Sequence, residues 1–332
     1  MKFTKIITLI LGSTLCIAIC ILLSLAFGAR SISFREVLDA LFQSEYATFN
    51  AAVVRERIPR TVFGILAGAS LGVSGALMQA VTRNPIADPG ILGVNTGASL
   101  FVVAGIAFFG ISSASQYIWF ALAGAAVAAI FVYGIGSLGS GGATPIKLAL
   151  AGAATSAALS SLVSGILLPR TDVMNSFRFW QVGSISGATW DGIITVLPFL
   201  IVGVVVGVLS APALNILALG DDVATGLGVK TGVVRLVGAF AGVLLCGATT
   251  ALSGPIGFVG LMIPHTMRLL CGPNLRYIIP MSAVGGAVLL TLADVAGRVI
   301  GRPSELEAGI ITAFLGAPIL IFIAVRAKVK SL

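Results

Sequence analysis

Apolar residues run along this chain in blocks of about 16 to 22, and the charged residues gather between the blocks. A helix rises ~1.5 Å per residue, so each block spans the ~30 Å of hydrocarbon in a bilayer. The blocks predict ten transmembrane helices, over 6–27, 60–81, 91–110, 117–137, 147–168, 192–211, 235–252, 256–271, 278–297 and 308–326. A β-barrel would instead read as short alternating segments. The expected fold is therefore an all-α integral membrane protein, a single transmembrane domain over 1–332. The first block exceeds the ~7–15-residue core of a signal peptide and is read as a retained span.

Three stretches between the blocks carry patterns of their own. Phe34 to Phe42 is amphipathic, as in a short helix lying on the outer surface. Phe177, Phe179, Trp180 and Trp190 suggest an interfacial aromatic belt. Pro212 to Thr231 reads as two short helical pieces broken by Gly226 and Gly228, with Asp221 and Asp222 placed to cap the second. That stretch is too polar to span, and an ordinary helix connection needs only ~2–8 residues.

Residues 61–92 and 231–262 align without a gap at an offset of 170, matching at Thr61/Thr231, Leu66/Leu236, Gly68/Gly238, Ala69/Ala239, Gly72/Gly242, Val73/Val243, Pro85/Pro255, Ile86/Ile256 and Gly90/Gly260. Five predicted crossings separate the copies, so they lie in opposite orientations. An inverted internal repeat of spans 2–5 and 7–10 follows, an architecture that places a substrate path between repeats.

Composition sharpens this picture. Charged residues make up 10% of the chain, against ~25% in soluble proteins. The 41 glycines recur at spacing four, as in Gly64, Gly68, Gly72 and Gly203, Gly207, which lets helix backbones approach closely. The net charge of +8 comes with no basic run interleaved with aromatics, so nucleic acid is not expected as a partner. All six lysines fall on the face shared by both termini, with Lys2, Lys5, Arg326, Lys328 and Lys330 as anchors, so that face is expected to be cytoplasmic. Counting arginines as well, 11 basic residues lie inside and 9 outside, a weak bias. Every outward basic residue is arginine: Arg30, Arg35, Arg55, Arg57, Arg60, Arg170, Arg178, Arg298 and Arg302. Arginine suits bidentate pairing with a partner's carboxylates, although Glu36, Asp39, Glu45 and Glu56 offer local neutralisation. Cys16, Cys20, Cys246 and Cys271 lack metal-ligand spacing and read as small packing residues; no metal site is expected.

Little else carries chemistry. Asp294 is the clear intramembrane carboxylate, four residues before Arg298, where an i,i+4 ion pair competes with proton relay in an ion-coupled secondary transporter. His265, after Pro264, reads as a structural contact. No Gly-x-x-x-x-Gly-Lys-Ser/Thr phosphate loop exists, and glycine-rich 134–142 lacks the lysine, so the chain is not expected to hydrolyse ATP or bind a cofactor. A transporter without an evident ion site or nucleotide site is passive or takes work from another subunit, for which 212–231 is the evident handle.

The combination resembles the FecCD/BtuC-type permease subunits of iron–siderophore and vitamin B12 ABC importers. It rests on Arg57-Ile58-Pro59-Arg60, Gly68-Ala69, Gly72, Ser74-Gly75-Ala76, Gln79 and Thr82 through Gly93. Ser253 through Leu261, Ile263-Pro264-His265, Arg268, Leu219-Gly220-Asp221 to Gly228-Val229, Ala293-Asp294 to Arg298, and Leu315-Gly316-Ala317-Pro318 add to it. The resemblance implies a permease of the bacterial cytoplasmic (inner) membrane that pairs with a second copy or paralogue and imports a ferric siderophore by alternating access. ATP and Mg would be used by separate ATPase subunits. It implies that Arg57, Arg60 and Arg298 dock an extracytoplasmic solute-binding protein. Loop 212–231, with Leu219, Gly220, Asp221, Asp222, Ala224 and Gly228, would couple to the ATPase. Span 5, with Ala151, Gly152, Ser156, Ser160 and Ser164, would line the path, where helix packing is the competing role for the serines. The sequence departs from the family at Thr144-Pro145-Ile146, where some members carry a hydroxyl-rich gate, and at Glu307, where proline is common.

Overall fold

The computed structural model describes residues 3–42, 48–139 and 143–326, without the side chains of 3–10, 179 and 322–326. Lys2, Glu45, Lys328, Lys330, the end of the 134–142 stretch, and the side chains of Lys5, Phe179 and Arg326 therefore lie outside what is described. The described helices are α1 (Phe3–Ala26), α2 (Phe34–Phe42), α3 (Phe49–Thr82), α4 (Val94–Ala104), α5 (Ala114–Gly136), α6 (Pro145–Leu167) and α7 (Thr171–Gln181). They continue as α8 (Trp190–Leu217), α9 (Asp221–Gly226), α10 (Thr231–Ser253), α11 (Val259–Cys271), α12 (Leu275–Ile300) and α13 (Ala308–Arg326). A 3₁₀ turn (Pro89–Leu92) precedes α4 and a π turn (Gly105–Phe109) extends it.

Each predicted apolar block carries a helix. Six helices among the described residues, α3, α5, α6, α8, α10 and α12, are long and apolar enough to cross a membrane by length and composition. Shorter apolar helices occupy the remaining blocks. At 13 residues, α11 is only ~20 Å long.

The boundaries moved where local chemistry beat hydropathy. Thr48 caps α3 by accepting from Ala51 N at 3.2 Å, so the helix begins well before the apolar block and runs through Pro59. Arg55, Glu56 and Arg57 are thus helical. At the other end, α8 continues through Pro212 to Leu217, so only α9 is a separate helical piece of the 212–231 stretch. Phe177 is buried and packs on Trp180, with ring centroids 5.6 Å apart, rather than forming a belt; Trp190 is exposed. Helix α2 spans the residues its amphipathic pattern marked, with Val37 and Ala40 buried.

Helix α3 is the hub, with 78% of its apolar window buried. The small-residue rows do the packing. A Cβ at Gly68 or Gly72 would strike the backbone of α12 at Gly286 or Ser282. A Cβ at Gly75 would strike the backbone of Gly260 in α11. Gly203 sits against Leu245 and Gly207 against Leu77, which close α8 onto α10 and α3.

The two sequence copies pack reciprocally. The first copy's long helix, α3, meets the second copy's α11 at Gly75/Gly260, and Gln79 Nε2 donates to the Leu261 carbonyl at 3.1 Å. The second copy's long helix, α10, meets the first copy's α4, with Thr250 Oγ1 donating to Asn95 Oδ1 at 3.0 Å. Exchange of partners is the relation an inverted repeat produces.

Candidate functional site

Two charged clusters sit along α3, one in its first half and one just past its end. In the first half, the i,i+3 spacing of Arg57 and Arg60 meets the i,i+4 spacing of Asp294 and Arg298 on α12. Asp294 accepts from Arg60 Nη2 at 2.7 Å and Nε at 3.1 Å, and from Arg298 Nη2 at 2.9 Å. Arg298, 1% exposed, gives its other bonds to Ser24 of α1, through Nη1 to the carbonyl at 3.0 Å and Nη2 to Oγ at 2.9 Å. Arg57 donates to the carbonyls of Leu25 and Arg30 at 2.8 and 2.7 Å. Arg302 donates through Nη2 to the Gly28 carbonyl at 2.6 Å. These arginines clamp the turn between α1 and α2.

Arg60 Nη1 reaches further out, to Glu305 Oε2 at 2.7 Å. A polar cavity of about 630 Å3 opens beside it, lined by Arg30, Glu56, Arg57, Arg60, Arg298 and Glu305 among others. Three of the lining arginines, Arg57, Arg60 and Arg298, stand against two bonded carboxylates, Glu305 in the lining and Asp294 behind it. Of the three, Arg57 is the one held by neutral carbonyl oxygens alone, so the cluster keeps one positive charge in excess beside the cavity. Glu36 bonds directly to Ser33 and Asn50 and feels Arg30 only through space. Those bonds hold the Glu36 carboxyl below its usual range, its Ser33 hydroxyl contact first.

At the far end, Arg83 follows α3 in a left-handed conformation, φ 48°. Its Nη2 lies 3.3 Å from Asp221 Oδ2, and Arg235 Nη2, at the start of α10, lies 2.7 Å from Asp221 Oδ1. Asp221 therefore ties α9 to α3 and α10, rather than serving as a cap; Gly220, at φ 113°, makes the turn into α9. Ala224 is fully buried, while Asp222 and Gly228 are exposed. Leu219, Val223 and Leu227, just before, within and just after α9, are 63%, 50% and 62% exposed on a polar loop. From Arg60 to Arg83 the helix covers roughly 35 Å.

Helix α6 is the least buried of the six long helices, at 17% of its window. Gly152 packs on the backbone of Ile91, and Ser156 Oγ accepts from Thr96 Oγ1 at 3.4 Å; Ala151 is half-buried beside them. Ser160 and Ser164 are exposed, with Ala153, Ala157 and Ser161 on the same side. Lipid-facing helices gain from large apolar side chains, so this face suits protein or a water-filled path. Thr144, at the departed gate position, caps α6 by accepting from Lys147 N at 3.4 Å.

The chemistry of other classes finds no support. Asp294 is 1% exposed and shared by two arginines, which leaves no open proton acceptor for ion coupling. Among the described residues no three His, Cys, Asp or Glu side chains group as metal ligands.

The family model for the FecCD transport family matches residues 16–326. The chain belongs to the FecCD transport family. It is 45% identical to the ferric enterobactin transport system permease protein FepD of Escherichia coli (strain K12), over 96% of this chain and 95% of that one. It is 42% identical to the Fe(3+)-citrate import system permease protein YfmD of Bacillus subtilis (strain 168), over 92% and 91%. A solved metal-chelate type ABC transporter in an inward-facing conformation superposes with a TM-score of 0.79 at 28% identity, covering 95% of this chain and 98% of that one. This is a membrane transport permease with the all-helical fold of an ABC transporter, as the sequence resemblance implied.

Sequence reasoning missed the partners of the arginines. Ser24 and Arg235 carried no motif signal of their own, and Arg83 lay in a motif that assigned it no partner. The charge singled out in that loop was Glu307, not Glu305, whose contact with Arg60 bridges 245 residues.

Proposed function

We propose that this chain is the permease subunit of a binding-protein-dependent ABC importer that carries a ferric siderophore inward. The supporting observation is the single helix α3, which joins an arginine-lined cavity at one end to the pinned, apolar-faced α9 at the other. On this reading 1–332 forms one permease domain, multi-pass in the bacterial inner membrane with both termini cytoplasmic, so that α9 within 212–231 faces the cytoplasm.

The cavity receives acidic side chains of an extracytoplasmic solute-binding protein. Arg57 and Arg60 meet them, and Arg298, buried behind, fixes Asp294 and α1 in place. The exposed apolar side chains of Leu219, Val223 and Leu227 seat on an ATPase subunit, with Asp221 holding α9 rigid against α3 and α10. ATP and Mg act there, on the partner. Exposed small residues of α6, from Ala153 to Ser164, face a second permease copy or paralogue across the path. Small hydroxyl-bearing walls let a bulky chelate pass without a tight site. Closure of the ATPase pair moves α9, and α3 and α10 transmit that movement to the wall.

The substrate class is carried by the relatives, whose names specify ferric enterobactin and Fe(3+)-citrate. The test is uptake of ferric enterobactin and of ferric citrate by proteoliposomes holding the permease–ATPase complex and its binding protein. ATP-dependent accumulation of either supports the proposal. Accumulation by the permease without ATPase, driven by a pH gradient, overturns it.

A further inference from the structure

The Arg60 guanidinium is already bonded along one edge and at one end, by two carboxylates. It offers a Nε/Nη2 edge and a Nη1 end. Asp294, at 2% side-chain exposure, takes the first through bonds of 3.1 and 2.7 Å. Glu305 takes the second at 2.7 Å. The two carboxylates differ in surroundings: Asp294 is locked between two arginines inside the bundle, whereas Glu305 is 34% exposed at the cavity mouth. Glu305 stands on the 301–307 connection between α12 and α13, outside regular helix. Among the described residues its hydrogen-bonded partner is Arg60, with Arg57 and Arg298 attracting it through space.

An acidic side chain entering this cavity meets a Glu305 charge in the place it would occupy. Two carboxylates crowded at the Nη1 end of one guanidinium repel each other, so the entering one displaces Glu305 from it. We infer that Glu305 is a built-in placeholder: it occupies Arg60 in the resting permease and yields to a carboxylate of the docking partner. This inference rests on the docking reading above and adds its regulation. The exchange swaps one carboxylate for another on the same donor, so the placeholder lowers docking affinity without abolishing it. It also keeps Arg60 neutralised when no partner is present, and frees the 301–307 connection when one arrives. Glu307, two residues on, has its backbone carbonyl committed to the start of α13 and serves as the internal comparison.

The test measures docking of fluorescently labelled solute-binding protein, taken from the same operon, to the permease–ATPase complex in nanodiscs. Variants are Glu305→Gln, Glu305→Ala, Glu307→Gln and Arg57→Glu. An exposed ion pair of this kind corresponds to roughly two- to fivefold in affinity. The expected result is docking tighter by about that factor for both Glu305 variants, no change for Glu307→Gln, and weaker docking for Arg57→Glu. If Arg57→Glu weakens docking while the Glu305 variants leave it unchanged or weaker, the placeholder is overturned and the docking reading stands. If no variant changes docking, both are overturned. Equal tightening by Glu307→Gln would reduce the effect to general charge and overturn the placeholder.

Discussion

Arg60, in the first half of α3, and Arg83, just past its end, are each held by an aspartate from a distant part of the chain. Asp294 of α12 holds the first at 2.7 Å, and Asp221 of α9 holds the second at 3.3 Å. Between them α3 packs backbone to backbone on α12 and α11 at Gly68, Gly72 and Gly75. With so little side-chain volume at these contacts to absorb displacement, the proposed function expects a movement at α9 to reach the arginine cavity as a shift of the helix.

Replacing Asp294 by Asn removes the anion shared by two buried arginines. Breaking a buried pair from one side costs ~3–5 kcal/mol, because the remaining charge stays desolvated. Asp294→Asn is therefore expected to lower the thermal midpoint of the detergent-solubilised protein sharply. Glu305→Gln, which removes a partly exposed partner, is expected to cost less than ~1 kcal/mol. Equal shifts for the two would contradict the division into an inner and an outer carboxylate.

Close packing of α3 on α11 gives a second expectation. Gly75→Ala drives a methyl group into the Gly260 backbone, an overpacking that costs ~1–3 kcal/mol. Gly226→Ala, where a Cβ meets nothing within 4 Å, is expected to be neutral in the same thermal measurement. A tolerated Gly75→Ala would mean that these helices can separate.

The amphipathic start of α2 responds to pH through Glu36. Ser33 N and Oγ donate to its carboxylate at 3.1 and 2.7 Å, and Glu36 N donates back to Ser33 Oγ at 3.4 Å, a reciprocal cap. Its folded value lies below the unfolded ~4.3. The cap's contribution is therefore present above about pH 4.3 and is lost as pH falls through the lower folded value. Protection of the α2 amides, taken relative to the intrinsic exchange rate at each pH, should fall on acidification, and Glu36→Gln should show much less of that pH dependence. An equal loss of protection in both proteins would contradict the capping role.

Much of this architecture was legible in the chain because hydropathy and glycine spacing report membrane burial and helix approach directly. The α2 pattern, the Asp294–Arg298 pair and the glycine rows all stand as read. The start of α3 was not legible, because its cap at Thr48 lies in a polar stretch where hydropathy is silent. The fate of the arginines was hidden for a different reason. Arg57, Arg60 and Arg298 looked outward because they flank apolar blocks, yet their acceptors, Ser24, Leu25, Asp294 and Glu305, come together only when α1, α3 and α12 meet. Asp221 likewise looked like a cap, and its arginines belong to α3's end and α10's start.

The exposed apolar side chains at α9 separate assembly from folding. Leu219→Ser, Val223→Ser and Leu227→Ser together are expected to leave the permease folded, since all three side chains are at least half exposed, and to abolish co-purification with the ATPase. Retained co-purification would place the ATPase contact elsewhere.

The most direct measurement concerns transmission through α9. Asp221→Asn loosens α9 from Arg83 and Arg235 without touching the apolar side chains around it. In proteoliposomes carrying the assembled importer, ATP hydrolysis and ferric siderophore uptake are measured together. The expected result is that hydrolysis persists while uptake per ATP falls severalfold. Uptake per ATP equal to that of the unmodified protein would contradict a coupling route from α9 through α3.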